Sequence, residues 1–350
     1  MEMSDPGHIE TDAILKALEK RITKEYQQAE AELTAKLDDY LRRFRLKDEK
    51  WREWVEKEEK TEEEYEKWRV GQLAIGKRWR EMKETIAEDL AHVNEIARQI
   101  VDNTMPEVYA INHDYGTYEV EKGSMLDTSY TLYSHEAIEN IIRYDPELLP
   151  GPGEKLKQRI REGKDIRWNR KQVQSVMMQS ILQGDTIPEI ADRLAKEVGE
   201  KNRKAAVRNA RTMTTGAEAA GREDAYKRAQ DLGVDMVQEW LATHDQRTRH
   251  SHRILDGERQ PVGGTFSNGC RYPGDPECKN PGEIYNCRCT IRGIVAGLEP
   301  QSRKFRSNEK LGGMTWDEWK EAKPKSNPIL LPEEKAKKIK WSYIAKYRKK

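Results

Sequence analysis

Between Glu239 and Arg292 the sequence gathers the groups best able to bind a metal, move a proton or pair as ions. Asp245, Arg247, Arg249, His250, His252, Asp256, Glu283 and Arg288 fall in two short stretches, 239–258 and 281–292. All four cysteines, Cys270, Cys278, Cys287 and Cys289, lie within the same region. Three chemistries fit these residue types. Four thiolates, with His252 as an alternative ligand, suit a structural zinc ion, whose preferred donors are sulfur and imidazole nitrogen. The spacing C-x7-C-x8-C-x-C lacks the C-x2-C pairs of a zinc finger, so a Cys270–Cys278 disulfide and free thiols stay open as alternatives. Asp245, His252, Asp256 and Glu283 would suit a metal-dependent nuclease or processing enzyme. No H-E-x-x-H, P-loop, G-x-S-x-G or dinucleotide fingerprint accompanies them. The third chemistry is structural: Asp–Arg and His–carboxylate pairs that fix the loops of a small module with a thin apolar core. This last reading is the default, and no catalytic residue is assigned.

The elements that must carry this cluster are mostly helical. From about Asp12 to Asp102 the chain holds no proline and is rich in Glu, Lys, Arg, Ala and Leu, all good helix formers. Apolar residues advance by threes and fours through Leu15, Leu18, Ile22, Tyr26, Ala29, Leu33, Leu37, Leu41 and Phe44, and the stripe resumes through Trp51, Trp54, Trp68 and Trp79. One unbroken helix of ninety residues would be roughly 135 Å long and could not shelter this stripe. The chain must therefore fold back at Gly71 and Gly76 or lie against another protein. The tryptophans read as a packing face rather than a platform for nucleobases.

Residues 105–152 read as irregular or short-strand structure followed by a helix over 134–144, and 148–153 as a linker. Helices are expected over 168–182, 187–198 and 202–231, the second opened by the Thr186-x-x-Glu189 capping box and the first closed by Gly184. The 168–198 pair reads as an ordinary helical hairpin rather than a DNA-reading helix-turn-helix. Strands are expected at 236–242 and 289–295. The fold class is mainly α with a small α+β module: long N-terminal amphipathic helices, a central helical bundle and a turn-rich C-terminal module. Composition divides the chain into 1–104, 105–233, 234–298 and 299–350.

Across 350 residues, 63 Lys and Arg balance 62 Asp and Glu to a net charge of +1, and only 36% of residues are hydrophobic. Mean hydropathy is −0.98 and no apolar run approaches 18 residues, which together exclude a membrane span. The start of the sequence lacks the basic-then-apolar layout of a secretory signal. The near-neutral total hides an uneven distribution. Residues 1–104 carry 20 basic and 26 acidic side chains, whereas residues 301–350 carry 15 basic and 6 acidic ones. The basic stretch includes Lys335, Lys337, Lys338, Lys340, Lys346 and Arg348, suited to phosphate contacts independent of sequence. His8, His92, His113 and His135 are scattered singly and suggest no site.

The order of motifs carries a family likeness. A helical region precedes WNRKQVQSVMMQSILQGDTIPEIADRL (168–194) and RTMTTGAE (211–218). WLATHDQRTRHSH (240–252), LDG (255–257) and PGE…NCRC (281–289) follow. This resembles the phage Mu protein F-like minor head proteins, also called phage head morphogenesis proteins, over about residues 105–298. The resemblance implies a non-enzymatic virion component that binds the portal protein inside the procapsid, near the genome exit, after assembly in the host cytoplasm. Scaffolding or major capsid protein and packaged DNA are further implied partners, with DNA met during packaging or ejection. Asp245, Arg247, Arg249, His252, Asp256, Gly257, Glu283, Asn286, Cys287, Arg288 and Cys289 carry over as a structural or partner-binding core. Leu33, Leu37, Leu41, Trp51, Trp54, Trp68 and Trp79 are expected to dock on the portal. The family domain also occurs fused to effector domains. The roughly fifty residues after 298 are too few for a sizeable catalytic domain.

Overall fold

The computed structural model describes residues 5–71, 77–132, 164–183, 185, 187–298 and 306–325. It is mainly α-helical, as expected, with a small three-stranded antiparallel sheet and a two-stranded antiparallel pair. In chain order the elements are α1 (Pro6–Glu56), α2 (Glu62–Val70), α3 (Lys77–Ser124), β1 (Leu126–Asp127), α4 (Lys164–Leu182) and α5 (Ile187–Asp231). There follow β2 (Val234–Leu241), α6 (His250–Leu255), β3 (Arg259–Pro261), α7 (Pro281–Ile284), β4 (Thr290–Leu298), β5 (Arg306–Ser307), α8 (Lys310–Gly313) and α9 (Trp316–Ala322). No described helix is long and apolar enough to cross a membrane.

Two compact units form. One comprises 1–18, 101–153 and 208–350, the other 19–100 and 154–207. These bounds cut across the four segments expected from composition, because α1, α3 and α5 each supply residues to both units. The 299–350 segment is likewise not a free tail throughout, since Leu311, Trp316 and Trp319 are buried.

The second unit uses the apolar stripe for its own core. Leu33, Leu37 and Phe44 from α1 pack with Ile86 and Leu90 of α3, Val173, Val176 and Met177 of α4, and Ile190, Leu194 and Val198 of α5. Trp68 stacks between Phe44 and Trp51, with ring centroids 5.2 and 5.3 Å away. Part of the stripe expected to dock on the portal is thus packed inside the chain. Leu33, Leu37 and Trp68 face this core, and Trp54, 38% exposed, stays at the surface. The side chains of Leu41 and Trp79 lie outside the described residues. The fold-back follows two breaks. One is near Gly71, as expected. The other, over 57–61, went unforeseen although Thr61 and Glu64 form a reciprocal capping box that opens α2.

Two further boundaries differ from the sequence reading. α3 runs through Pro106 to Ser124, over residues expected to be irregular. An interior proline costs a helix about 3 kcal/mol. Here Met105, Val108, Tyr109, Tyr115 and Tyr118 are all buried, and their packing outweighs that cost. The two helices expected over 187–198 and 202–231 are one 45-residue helix, since Gly199 sits inside α5 without ending it. The expected helix at 134–144, the 148–153 linker, Thr186, Gly184 and Gly76 lie outside the described residues.

In the first unit α3 and α5 approach closely. A Cβ on Gly221 would lie 2.5 Å from the Tyr109 carbonyl oxygen, and one on Gly116 2.9 Å from the Ala225 Cβ. Only glycine permits that approach. The sheet order is β3-β2-β4, antiparallel throughout, with Trp240 opposite Ile291 and Leu241 opposite Thr290. Val234, Met236, Gln238 and Trp240 alternate inward along β2 onto a core with Tyr226, Phe266 and Ile291.

Candidate metal centre

The end of β2, helix α6 and the entry to β4 meet over one buried imidazole. The backbone of Trp240 exchanges hydrogen bonds with the Glu258 carbonyl and the Gly257 N–H, both 2.9 Å, which folds the 242–256 excursion back on the sheet. Gly257 turns at φ +81°, a backbone state that glycine adopts without penalty. Inside this excursion α6 buries His252 and Leu255 and exposes its other face. The indole of Trp240 meets the His252 ring edge-on at 5.4 Å and Phe266 at 5.2 Å.

The second half of the site comes from 281–289. Asn280 caps α7 by accepting from the Gly282 N–H at 3.1 Å. Asn286 then turns at φ +58°, and its backbone N–H donates to Thr212 Oγ1 at 3.0 Å. That turn delivers Cys287, Arg288 and Cys289 to the start of β4, where Thr215 Oγ1 donates to the Cys287 carbonyl at 2.7 Å. Cys287 and Cys289 are both buried, so their side chains share the inward face while Arg288 points outward.

His252 Nδ1 lies 3.3 Å from Cys289 Sγ and 3.4 Å from Cys287 Sγ. On its other edge Nε2 is 2.9 Å from Glu283 Oε2, an ion-pair contact without hydrogen-bond alignment. Glu283 also accepts from Ser251 Oγ at 3.1 Å. The Cys289 thiol is held down to about 5, chiefly by the hydrogen bond from Cys287, against burial and with help from His252. The same hydrogen bond, together with burial, pushes Cys287 well above the usual thiol range. One thiolate shared between two sulfurs and an imidazole is a soft, anionic donor set.

The structure corrects the four-thiolate expectation. Cys270 and Cys278 are joined as a disulfide across an eight-residue separation, which leaves Cys287 and Cys289 as the free thiols. Among the described residues the His/Cys/Asp/Glu group placed to hold a metal is His252, Cys287 and Cys289, so His252 belongs to the donor set rather than replacing part of it.

The carboxylates expected for a nuclease do not converge. Asp245 pairs with Arg288 through bonds of 2.5 and 2.7 Å, and those bonds hold its carboxyl well below the usual range. Asp256 accepts from the Ala242 N–H at 2.8 Å and faces His244 Nε2 at 3.0 Å. Arg249 donates to the Tyr285 carbonyl, and Arg253 to the Asp245 carbonyl at 3.0 Å. Arg247 and Asn286 are exposed. Most of this set therefore braces loops, with His252 alone deeply buried.

Trp240, Thr243, Ser251 and Thr215 lie within the motifs 240–252 and 211–218, but sequence reasoning gave them no part in the site; the fold brings them in, Thr243 by donating through Oγ1 to the Arg288 carbonyl. It also set aside two histidines that the fold uses. His8 Nδ1 lies 2.9 Å from Glu218, and His113 Nδ1 lies 2.7 Å from the Tyr130 hydroxyl, both in buried surroundings.

Residues 171–292, which contain the whole donor set, match the family described as phage Mu protein F like protein. The chain is similar to the minor head protein GP7 of Bacillus phage SPP1, 26% identical over 260 residues, which cover 70% of this chain and 77% of that protein. It is also similar to a protein of Enterococcus faecalis named NAD(+)–arginine ADP-ribosyltransferase EFV, 27% identical over 256 residues and 69% of this chain. The chain spans about half the length, 51%, of that second relative. No solved structure matches significantly. Residues 171–292 thus match a phage Mu protein F-like domain, and along most of its length the chain is similar to a phage minor head protein.

Proposed function

We propose that this chain is a non-enzymatic minor capsid protein of a tailed bacteriophage that binds the portal inside the assembling head. The observation that carries this reading is the similarity to the SPP1 minor head protein along 77% of that protein's length. A head protein inside a capsid meets two kinds of partner, protein walls and packaged DNA. Scaffolding or major capsid protein is the further protein partner we assign. Lys335, Lys337, Lys338, Lys340, Lys346 and Arg348, which lie outside the described residues, supply the phosphate contacts. Such contacts serve packaging or ejection and read no base sequence. The protein's place is the virion interior at the portal vertex, reached from the host cytoplasm.

Leu33 and Leu37 of the Leu/Trp stripe are buried in the chain's own core and Trp68 packs against it, so we place the portal contact away from these three residues. Co-expression of the full chain with the portal protein of the same phage is the test. The two proteins are expected to co-purify through size exclusion, and purified virions are expected to contain this chain. Failure to co-purify, together with virions that lack the chain, overturns the reading.

The activity in the Enterococcus protein's name is not assigned here. Incubation of the full chain with labelled NAD+ and arginine-containing acceptors is expected to transfer no label, and added Mg2+ or Mn2+ is expected to elicit no cleavage of DNA. Activity in either assay overturns the non-enzymatic assignment.

A further inference from the structure

The donor atoms of His252, Cys287 and Cys289 all lie within 4.8 Å of one another, and all three residues are buried. Bond lengths of about 2.3 Å to sulfur and 2.0–2.1 Å to nitrogen place the nitrogen and sulfur ligands of a tetrahedral zinc ion about 3.6 Å apart. The two nitrogen–sulfur separations here, 3.3 and 3.4 Å, are within a few tenths of an ångström of that value. The backbone N–H of Cys289 donates to Cys287 Sγ at 3.4 Å, which holds that sulfur in place beside the imidazole.

The far edge of the imidazole supplies an independent observation. Nε2 is buried, without a hydrogen bond, and faces a Glu283 oxygen 2.9 Å away. A histidine that binds a metal through Nδ1 must carry its proton on Nε2. A carboxylate opposite that proton is the usual device that fixes the tautomer and strengthens the ligand. Ser251 holds Glu283 in turn. Cys270 and Cys278 cannot contribute, because they are bonded to each other.

We propose that His252 Nδ1, Cys287 Sγ and Cys289 Sγ bind one zinc ion, with Glu283 as the positioning residue behind the imidazole and a solvent molecule as the fourth ligand. Each protonated thiol loses its proton to solvent on binding, and the imidazole binds neutral. The ion ties α6 to the start of β4, two elements otherwise joined through loop hydrogen bonds. The assignment stands independently of the head-protein reading.

The test is the metal content of the full chain purified without chelator, read by mass spectrometry. One zinc per chain is expected, released on titration with a mercurial thiol reagent. Replacement by Co2+ is expected to give the visible bands of a tetrahedral ion and a near-ultraviolet thiolate band. Cys289→Ser and His252→Ala are expected to lose the zinc, whereas the Cys270→Ser/Cys278→Ser double variant keeps it. Glu283→Gln is expected to keep the site but to weaken zinc binding about 10–100-fold. Wild-type protein that holds no zinc and gives no thiolate–cobalt band overturns the proposal, with no variant needed. So does zinc that survives Cys289→Ser, or that leaves only when Cys270 and Cys278 are changed.

Discussion

The carboxylate of Asp5 grips the guanidinium of Arg222 through two hydrogen bonds of 2.6 and 2.9 Å, across 217 positions of sequence, with both side chains buried. Asn112 Oδ1 and the Ile291 carbonyl take the remaining Arg222 donors at 3.0 and 2.9 Å. A buried pair of this kind is costly to break, because the surviving partner keeps an uncompensated charge out of water. Asp5→Asn is expected to destabilise the first unit by about 3–5 kcal/mol in urea unfolding of the full chain. The Asp5→Asn/Arg222→Met double variant is expected to cost clearly less than the sum of its single changes. Strict additivity would show that the pair is not the source of the loss.

Glu119 sits beside this pair and makes stability depend on pH. Burial raises its carboxyl from 4.5 to about 7, against the pull of Arg222 and with the Asp5 charge adding to the rise. The folded state therefore holds this proton more tightly than the unfolded chain does. Its contribution is greatest below pH 4.5 and is lost as pH rises through 7, an effect on the order of 3 kcal/mol. Glu119→Gln is expected to flatten the urea midpoint over that window. An unchanged slope would contradict the assignment.

His8 titrates in a higher window. Burial works against its charge, but the Glu218 carboxylate at 2.9 Å overrides that and raises the pKa from 6.5 to about 9. Its stabilisation is full below pH 6.5 and disappears as pH rises through 9. His8→Asn is expected to lower stability at pH 6 and to have little effect at pH 10. An equal loss at both would mean that packing, not charge, is at stake.

Two glycines of α5 should respond in opposite directions to alanine. Nothing lies within 4 Å of a Cβ on Gly199, so Gly199→Ala is expected to raise stability by about 0.4–1 kcal/mol. At Gly221 the new Cβ would meet the Tyr109 carbonyl oxygen at 2.5 Å and the His113 nitrogen at 3.1 Å, both backbone atoms. Gly221→Ala is expected to cost about 1–3 kcal/mol or more, since two helices must separate. Thermal midpoints of the two variants on opposite sides of the wild type would bear this out.

The Cys270–Cys278 disulfide closes a short loop, and chain entropy assigns such a loop about 2.5 kcal/mol. Mild reduction, or the double change to serine, is expected to lower the midpoint accordingly. Alkylation of the unfolded, unreduced chain is expected to label Cys287 and Cys289 alone. Label on all four cysteines would exclude the bond.

The helical character, both strands of the main pair and the clustering of chemistry near 245–289 were legible because each is written locally, as period, propensity and motif. The helix ends expected near 102 and 198 are absent, and α3 and α5 run through Pro106 and Gly199. Both are local breakers, and the burial of Met105, Val108 and Tyr109 around the first is a tertiary fact that propensity does not see. The stripe through Leu33, Leu37 and Trp68 was legible as a buried face but not as to what buries it, since α4 and α5 lie more than a hundred residues away. At the site, His252, Cys287 and Cys289 were named from type alone. Their separation from Cys270 and Cys278 was not legible, because four thiols in twenty residues allow several pairings until the Asn286 turn sends two of them inward.

Glu10 accepts from Trp316 Nε1 at 2.8 Å and from Lys320 Nζ at 2.6 Å, partners 306 and 310 positions downstream. Glu121, fully buried, likewise takes Trp319 Nε1 at 2.7 Å and Lys323 Nζ at 2.9 Å. A ribosome adding about 5–20 residues per second leaves Glu10 waiting roughly 15–60 s for its partners. During translation the nascent polypeptide therefore carries an open slot among Tyr115, Tyr118 and Tyr130, where Trp316 and Trp319 later insert. The first unit can close only once residue 323 has emerged, so the moment of its completion is set by synthesis.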